Sequence, residues 1–222
     1  PYNVANPLDA SGNVVSGARI VVDTDWQDEI FSTAGTQDYN VNVSGGTDRN
    51  DYFFSIGYTD QDGIAPASNF KRYSGKMSLN SEATSWLKTG MSVTFSHSIQ
   101  NTTVAGSAGA SPLYNSLTFP NGVPVYVVDA EGKPILDSFG NKQYNFKNPV
   151  SLDFNPLAIP YMDVNRSKFY RALASAYADI TFYKGLNFKT VFSGDYFSTD
   201  EHRYWNKEHG NGPAYGGRLD KY

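Results

Sequence analysis

Apolar and polar residues alternate over long stretches of this chain. Between Tyr52 and Thr59 every second residue is apolar or aromatic, and most of the residues between them are small and polar. The same alternation returns at Arg72–Asn80 and at Thr89–Ser96. Because successive side chains of a strand point to opposite faces, each stretch predicts a strand with one apolar and one polar face. With a further stretch at Gln37–Ser44, residues 37–101 are predicted to hold four strands.

The length of these stretches indicates the kind of sheet. Strands of soluble sheets usually run about five or six residues, whereas a strand that crosses a membrane needs roughly 9–11 residues with alternating faces. The alternating stretches of this chain are closer in length to membrane-crossing strands than to strands of soluble sheets. Their polar faces carry Ser, Thr, Gly, Asn, Lys and Arg. The pattern predicts an all-β fold, an antiparallel up-and-down segment of a transmembrane β-barrel. We expect Phe54, Ile56, Val93 and Ala174 to face lipid, and Ser55, Thr94 and Lys189 to face the lumen.

Two more strands are predicted in residues 166–198. From Tyr170 to Phe182 alanines and aromatic residues alternate with polar ones. Alanine favours helices, so a helix is the rival interpretation; the strict alternation and the flanking aromatic residues favour a strand. After a tight turn at Tyr183–Gly185, the alternation continues from Leu186 to Ser193.

The connections between the predicted strands alternate in length. The short ones lie at 45–50, 81–85 and Lys184, and the long ones at 60–69, 102–165 and 199–222. Outer-membrane barrels have short periplasmic turns and long extracellular loops. We therefore predict a lead-in loop at 1–36, a long extracellular loop at 102–165 and the start of a further extracellular loop at 199–222.

Local signals predict order inside these loops. Asp9–Asn13 and Asp129–Gly132 have the composition of tight turns, and Asp25 is placed to cap one helical turn ending at Phe31. The segment 102–165 is rich in Pro and Gly but carries many aromatic residues, which disordered segments lack. We expect it to be an ordered, functional loop.

Five motifs within the first half of the chain resemble the SusC-like TonB-dependent transporters, the RagA/SusC family. They are WQDEIF at Trp26–Phe31, YNVNVSGG at Tyr39–Gly46, YFFSIGY at Tyr52–Tyr58, DGI at Asp62–Ile64 and FKRYSG at Phe70–Gly75. The resemblance is dense from Asp23 to Asn101 and looser from Asn165 to Phe197.

This resemblance implies a location and a working partnership. Members are barrels of 22 strands in the bacterial outer membrane, with an N-terminal plug in the lumen. A SusD-like surface lipoprotein caps the barrel and delivers glycans or peptides, and a TonB complex pulls on a short N-terminal box. Neither plug nor box is recognisable here, so the chain is expected to be an internal piece that supplies barrel wall, extracellular loops and lumen lining, in contact with outer-membrane lipid.

Composition narrows the function classes. A net charge of −4 without a basic stripe argues against a nucleic-acid partner, and the absence of cysteine excludes a disulfide scaffold or a Cys-ligated metal site. No catalytic pair or triad stands out, so no enzyme, cofactor or metal is predicted. His202 and His209, beside Glu201 and Glu208, are predicted to lie in a solvated loop.

Loop aromatics are the candidate binding residues. Aromatic rings can contact a ligand or a partner protein, and the candidates are Tyr114, Phe119, Tyr144, Tyr204 and Trp205. They also support the alternative function, a soluble β-sandwich that binds carbohydrate through its loop rings. Dependence on detergent distinguishes the two, because a sandwich stays soluble without it.

Overall fold

The computed structural model describes residues 2–103, 111–147, 154–210 and 212–222. In this part of the chain seven strands form one antiparallel sheet, and each strand pairs with the next along the sequence. The strands are β1 (Thr36–Gly46), β2 (Asn50–Asp62), β3 (Asn69–Thr84), β4 (Leu87–Asn101), β5 (Val164–Tyr183), β6 (Leu186–Trp205) and β7 (Arg218–Lys221). The up-and-down topology is the predicted one, with one strand more than the six that periodicity predicts.

The register aligns the predicted faces across the sheet. Phe54 pairs with Met77, which pairs with Val93, and Val93 pairs with Ala174. The next row joins Ser55, Lys76 and Thr94 on the opposite face. The apolar face is open, and Ile56, for example, is 68% exposed. Among the described residues no second sheet covers this face, which a β-sandwich would require.

The alanine-rich stretch is a strand, as predicted. β5 and β6 are 20 residues each, about twice the roughly 9–11 residues that a membrane span needs. β6 continues past the expected boundary at 198 as far as Trp205. Between Thr199 and Arg203 the residues are polar on both faces, so periodicity gives no strand signal there, but pairing with β5 continues to Tyr204.

The short turns lie together at one end of the sheet, which we name the turn end. They connect β1 to β2, β3 to β4 and β5 to β6. The last turn is Lys184–Gly185, where Gly185 adopts a φ of 88°, a conformation open to glycine because it has no Cβ. Between β1 and β2, the Thr47 hydroxyl accepts a hydrogen bond from the Asn50 N–H at 3.2 Å.

The remaining segments form a folded layer at the opposite end of the sheet, which we name the loop layer. It comprises 2–35, 63–68, 111–147, 154–163, 206–210 and 212–217. It contains α1 (Trp26–Ile30), α2 (Pro112–Thr118), α3 (Ala158–Met162) and a 3₁₀ turn (Pro213–Tyr215). Within the described residues, no helix has the length and hydrophobicity needed to cross a membrane.

The hydrophobic core of the described chain lies in this layer and not on the sheet. Its members are Trp26, Ile30, Phe119, Val123, Val125 and Leu157. Side-chain caps stabilise the N-termini of the short helices α1 and α2 in this layer. The Asp25 side chain accepts hydrogen bonds from the N–H groups of Gln27 and Asp28, as predicted, and Ser111 caps α2 in the same way.

Candidate functional site at the loop end of the sheet

The lead-in segment and the long loop pack into one unit. The ring of Trp26 meets that of Phe119 edge-on, with 5.2 Å between the centroids, and the Trp26 Nε1–H donates to the Pro120 carbonyl at 3.3 Å. The N–H of Thr24 donates to the Asn121 carbonyl at 2.8 Å. These contacts join residues far apart in sequence, so the two segments are expected to move together.

Three turns in the described loops share one construction, and we name them the Asp turns. They are Asp9–Asn13, Asp129–Lys133 and Asp137–Asn141. In each, the Oδ1 of the aspartate accepts hydrogen bonds from the N–H groups two and four residues later, at 2.8 to 3.0 Å. The glycine at the fourth position has a φ of 82° or 83°. The hydrogen bond from the last N–H of the turn is the main cause that lowers the pKa of Asp9 and of Asp137.

The second Asp turn is packed inside the layer. A Cβ added to Gly132 would lie 2.2 Å from the Val21 carbonyl oxygen, so the turn touches the lead-in backbone where only glycine fits. The third turn differs, because its Phe139 is 88% exposed. Equivalent turns are therefore used once as a packing element and once as a projecting tip.

A buried asparagine ties the last part of the long loop to its middle. The Nδ2 of Asn155 donates to the carbonyls of Val125 at 2.7 Å and Asn145 at 3.0 Å. Its Oδ1 accepts from the N–H groups of Leu157 and Ala158. Sequence reasoning missed this residue, although an Asn-Pro pair before an apolar run is a recognised turn signal.

A row of neighbouring rings leads from the long loop to the loop after β6. Tyr126 stacks on Tyr144 with centroids 5.3 Å apart, Phe146 follows at 6.4 Å from Tyr144, and the His209 ring lies parallel to Phe146 at 5.2 Å. Burial raises the pKa of both tyrosines, which keeps them neutral. The row fixes the loop after β6 onto the long loop.

The position of His209 corrects the expectation of a solvated loop. Its side chain is 1% exposed, and its Nε2 lies 3.5 Å from Asp163 Oδ1, too far for a good hydrogen bond. That carboxylate accepts instead from the Asn206 N–H at 2.8 Å. Burial lowers the pKa of His209, so the ring is neutral at neutral pH. Periodicity cannot detect such burial, because the contacts come from distant segments. His202 lies on β6, and its Nε2 is 2.9 Å from Asp200 Oδ1.

The predicted contact residues occupy different environments. Tyr114 is exposed on α2, and Tyr144 is half-buried in the ring row. Phe119 is buried in the core, where its ring packs on Trp26. Tyr204 and Trp205 end β6, and the Arg218 guanidinium lies 5.1 Å from the Trp205 ring centroid. In the described part of the chain, no three His, Cys, Asp or Glu side chains are grouped to hold a metal.

The polar face of the sheet is lined by hydrogen-bonded side chains. Arg171 Nη2 and Asp195 Oδ2 form an ion pair at 2.8 Å. Nearer the loop layer, Arg72 donates to the Thr59 hydroxyl, which donates to Asp38 at 2.7 Å. Such a surface suits a water-filled lumen.

These features define a class of protein. A sheet of long antiparallel strands with one apolar and one polar face, short turns at one end and large loops at the other, is the wall of an outer-membrane β-barrel.

Similar proteins belong to one group. TonB-dependent receptor P3 of Formosa agariphila is 29% identical over 187 residues, which are 82% of this chain and 17% of that protein. TonB-dependent receptor SusC of Bacteroides thetaiotaomicron is 46% identical over 56 residues, 25% of this chain and 6% of that protein. The structure of the RagAB peptide transporter matches with a TM-score of 0.62 and 26% identity, covering 82% of this chain and 20% of that one. No protein-family profile matches.

This chain resembles the SusC-like TonB-dependent receptors, which are proteins of the bacterial outer membrane. It spans about a fifth of the length of TonB-dependent receptor P3 and of the matched RagAB chain. The predicted fold class and family resemblance are confirmed.

Proposed function

We propose that this chain forms part of the wall and extracellular rim of a transporter that imports glycans or peptides. The transporter works with a SusD-like surface lipoprotein, and a TonB complex supplies energy through a region outside this sequence. Support comes from relatives named as TonB-dependent receptors and from the likeness to a peptide transporter. The observation that carries the proposal is the division of the sheet into an apolar face, a polar face, a turn end and a folded loop layer.

Each part of this division has a role in the transporter. The apolar face contacts lipid and the polar face lines the lumen. The turn end lies in the periplasm, and the loop layer lies outside the cell. On the apolar face a row of rings crosses the strands near the loop layer: Tyr58 lies 5.1 Å from Tyr73, and His97 stacks on Tyr170 at 4.3 Å. Rings at a membrane interface have this amphipathic character, so the row is assigned to the interface.

The loop layer is the contact surface for the lipoprotein and the ligand. Of the predicted contact residues, Tyr114, Tyr144, Tyr204 and Trp205 keep this role. Phe119 holds the layer together from within. The core and the ring row favour a layer that presents one fixed surface, because ordering a loop in advance lowers the entropy lost on binding.

A loop excision tests this proposal. The N–H of Val127 donates to the Gln143 carbonyl at 2.8 Å, so residues 128–142 can be removed and the ends joined by an Asn-Gly turn. Removing Gly122–Phe139 instead would take Val123 and Val125 out of the core. In the full-length transporter we expect co-purified lipoprotein and ligand uptake to fall by about tenfold or more, since hot spots at interfaces cost this much.

Barrel assembly serves as the internal control. The strand ladder does not involve residues 128–142, so heat-modifiable migration of the folded barrel should be unchanged. Lys184→Asn creates the same Asn-Gly turn at the turn end, next to the existing Gly185, and this control should affect neither uptake nor co-purification. If the excised protein binds lipoprotein and imports ligand like the parent, the loop layer is only a spacer.

A further inference from the structure

His209 is buried without a hydrogen-bond partner. Its side chain is 1% exposed, and within the described residues neither of its ring nitrogens makes a hydrogen bond. A neutral imidazole carries one N–H donor and one acceptor nitrogen, and leaving both buried and unpaired costs free energy. A phenyl ring would stack on Phe146 without this cost. The structure therefore holds a titratable ring at a place where packing alone does not require one.

The ring of His209 joins two segments that are far apart in the sequence. It lies parallel to the ring of Phe146 in the long loop, with 5.2 Å between the centroids and 9° between the ring planes. The next residue, Gly210, approaches the same loop closely, since a Cβ added there would lie 2.3 Å from the Phe154 ring. Residues 206–210 are therefore attached to the long loop by contacts that bury the imidazole.

The charges around the ring determine how it responds to acid. Two carboxylates act on it, Asp163 between α3 and β5 and Glu208 in its own loop, whereas Phe146 is uncharged. Burial has the largest influence on the pKa of His209 and lowers it, and the two negative charges offset only part of this effect. The Asp163 Oδ1 is 3.5 Å from the ring and already accepts the Asn206 N–H. A proton is therefore bound less readily by the buried ring than by the same ring in water.

We propose that His209 is an acid-sensitive latch, and that protonation of its buried ring releases residues 206–210 from the long loop. In the released state water can hydrate the imidazolium, whereas a charge buried in the closed state is poorly compensated. Because the closed state favours the neutral ring, it is most stable above the ordinary histidine pKa of about 6.5 and loses stability as the pH falls below it. The loss continues down to the lowered pKa of the buried ring.

Hydrogen exchange of the full-length transporter in detergent, read by mass spectrometry, measures this release. Protection factors relate each amide to its intrinsic exchange rate, so the pH dependence of exchange itself is removed. From about pH 7.5 to about pH 5.5 we expect the protection of residues 206–210 to fall by about fivefold or more, since one pH unit below the ordinary pKa changes the closed-to-open ratio by up to about tenfold. The protection of α1, which does not contact His209, should stay within about twofold.

Three variants identify the group that takes up the proton. His209→Phe keeps a ring against Phe146 but cannot be protonated, so its protection should be independent of pH. His202→Phe replaces the half-buried histidine on β6 and should respond like the parent. Asp163→Asn should keep the fall in protection, because burial raises the pKa of Asp163 and its own protonation favours the closed state.

Each result supports or overturns the latch. Equal protection of residues 206–210 in the parent at both pH values would overturn it. A pH response that persists in His209→Phe, or that disappears in Asp163→Asn, would do the same, because another group would then take up the proton. If His209→Phe does not assemble a heat-modifiable barrel, His209→Leu provides the same test. The proposed function is unaffected by these results, since import at neutral pH does not require the release.

Discussion

Replacing Val93 with lysine is expected to destabilise the folded barrel by about 2–4 kcal/mol, the cost of a cation on the lipid face at the bilayer midplane. Val93 lies mid-strand in the apolar row with Phe54, Met77 and Ala174. In the proposed barrel its side chain points into hydrocarbon, where an ammonium group loses its hydration and finds no partner.

The neighbouring residue provides a matched control. Ser92 lies on the same strand but on the polar face, between Ser78 and Ser175. In the proposed barrel a lysine there faces the lumen and stays hydrated, so it should cost little. Urea titrations of the full-length barrel folded into lipid vesicles compare the two variants. Equal losses of unfolding free energy for Val93→Lys and Ser92→Lys would contradict the assignment of one face to lipid and the other to the water-filled lumen.

Trp26→Ala is expected to cost about 3–5 kcal/mol in the stability of the loop layer, the usual loss for a large aromatic residue removed from a core. Trp26 is 2% exposed. It packs on Phe119 and donates to the Pro120 carbonyl, so its removal separates the lead-in segment from the long loop. The sheet should survive, because its ladder does not include this residue.

Limited proteolysis of the folded transporter measures this effect. Loop cleavage should become faster in Trp26→Ala, whereas heat-modifiable migration of the barrel should not change. Trp86→Ala, an exposed tryptophan at the turn end, should leave loop cleavage as it is. Loops that resist protease equally in the parent and in Trp26→Ala would mean that the layer has no shared core.

The sheet could be predicted from sequence because each strand meets a different solvent on each face. Apolar and polar residues therefore alternate along each strand. This alternation predicted a strand even for the alanine-rich stretch of β5. The signal ended where both faces become polar, as at Thr199–Arg203, and the end of β6 was missed for that reason. β7 is four residues long, too short to show a period.

The loop layer could be predicted only where its order is local. The turn at Asp9, the turn at Asp129 and the cap at Asp25 each follow from neighbouring residues. The core, the Asn155 hydrogen bonds and the burial of His209 depend on contacts between distant segments, so no local pattern marks them.

Composition alone could not rank the candidate contact rings. Phe119 and Phe139 lie in the same Pro-rich loop and look equivalent in the sequence, yet one is buried and the other projects. Their difference comes from packing on Trp26, which lies outside the loop. Which exposed rings contact a ligand or a partner stays a prediction for Tyr114, Tyr144, Tyr204 and Trp205.

Cysteine labelling on intact cells tests most directly whether this chain is a barrel wall with its loop layer outside. The chain has no cysteine of its own, so single cysteines at Ser138, Lys184 and Val93 report without background from this segment. A membrane-impermeant maleimide should label Ser138→Cys on intact cells. It should label Lys184→Cys only after the outer membrane is permeabilised, and Val93→Cys in neither case. Labelling of Lys184→Cys on intact cells with Ser138→Cys protected would reverse the topology, and ready labelling of Val93→Cys would contradict the lipid-facing wall itself.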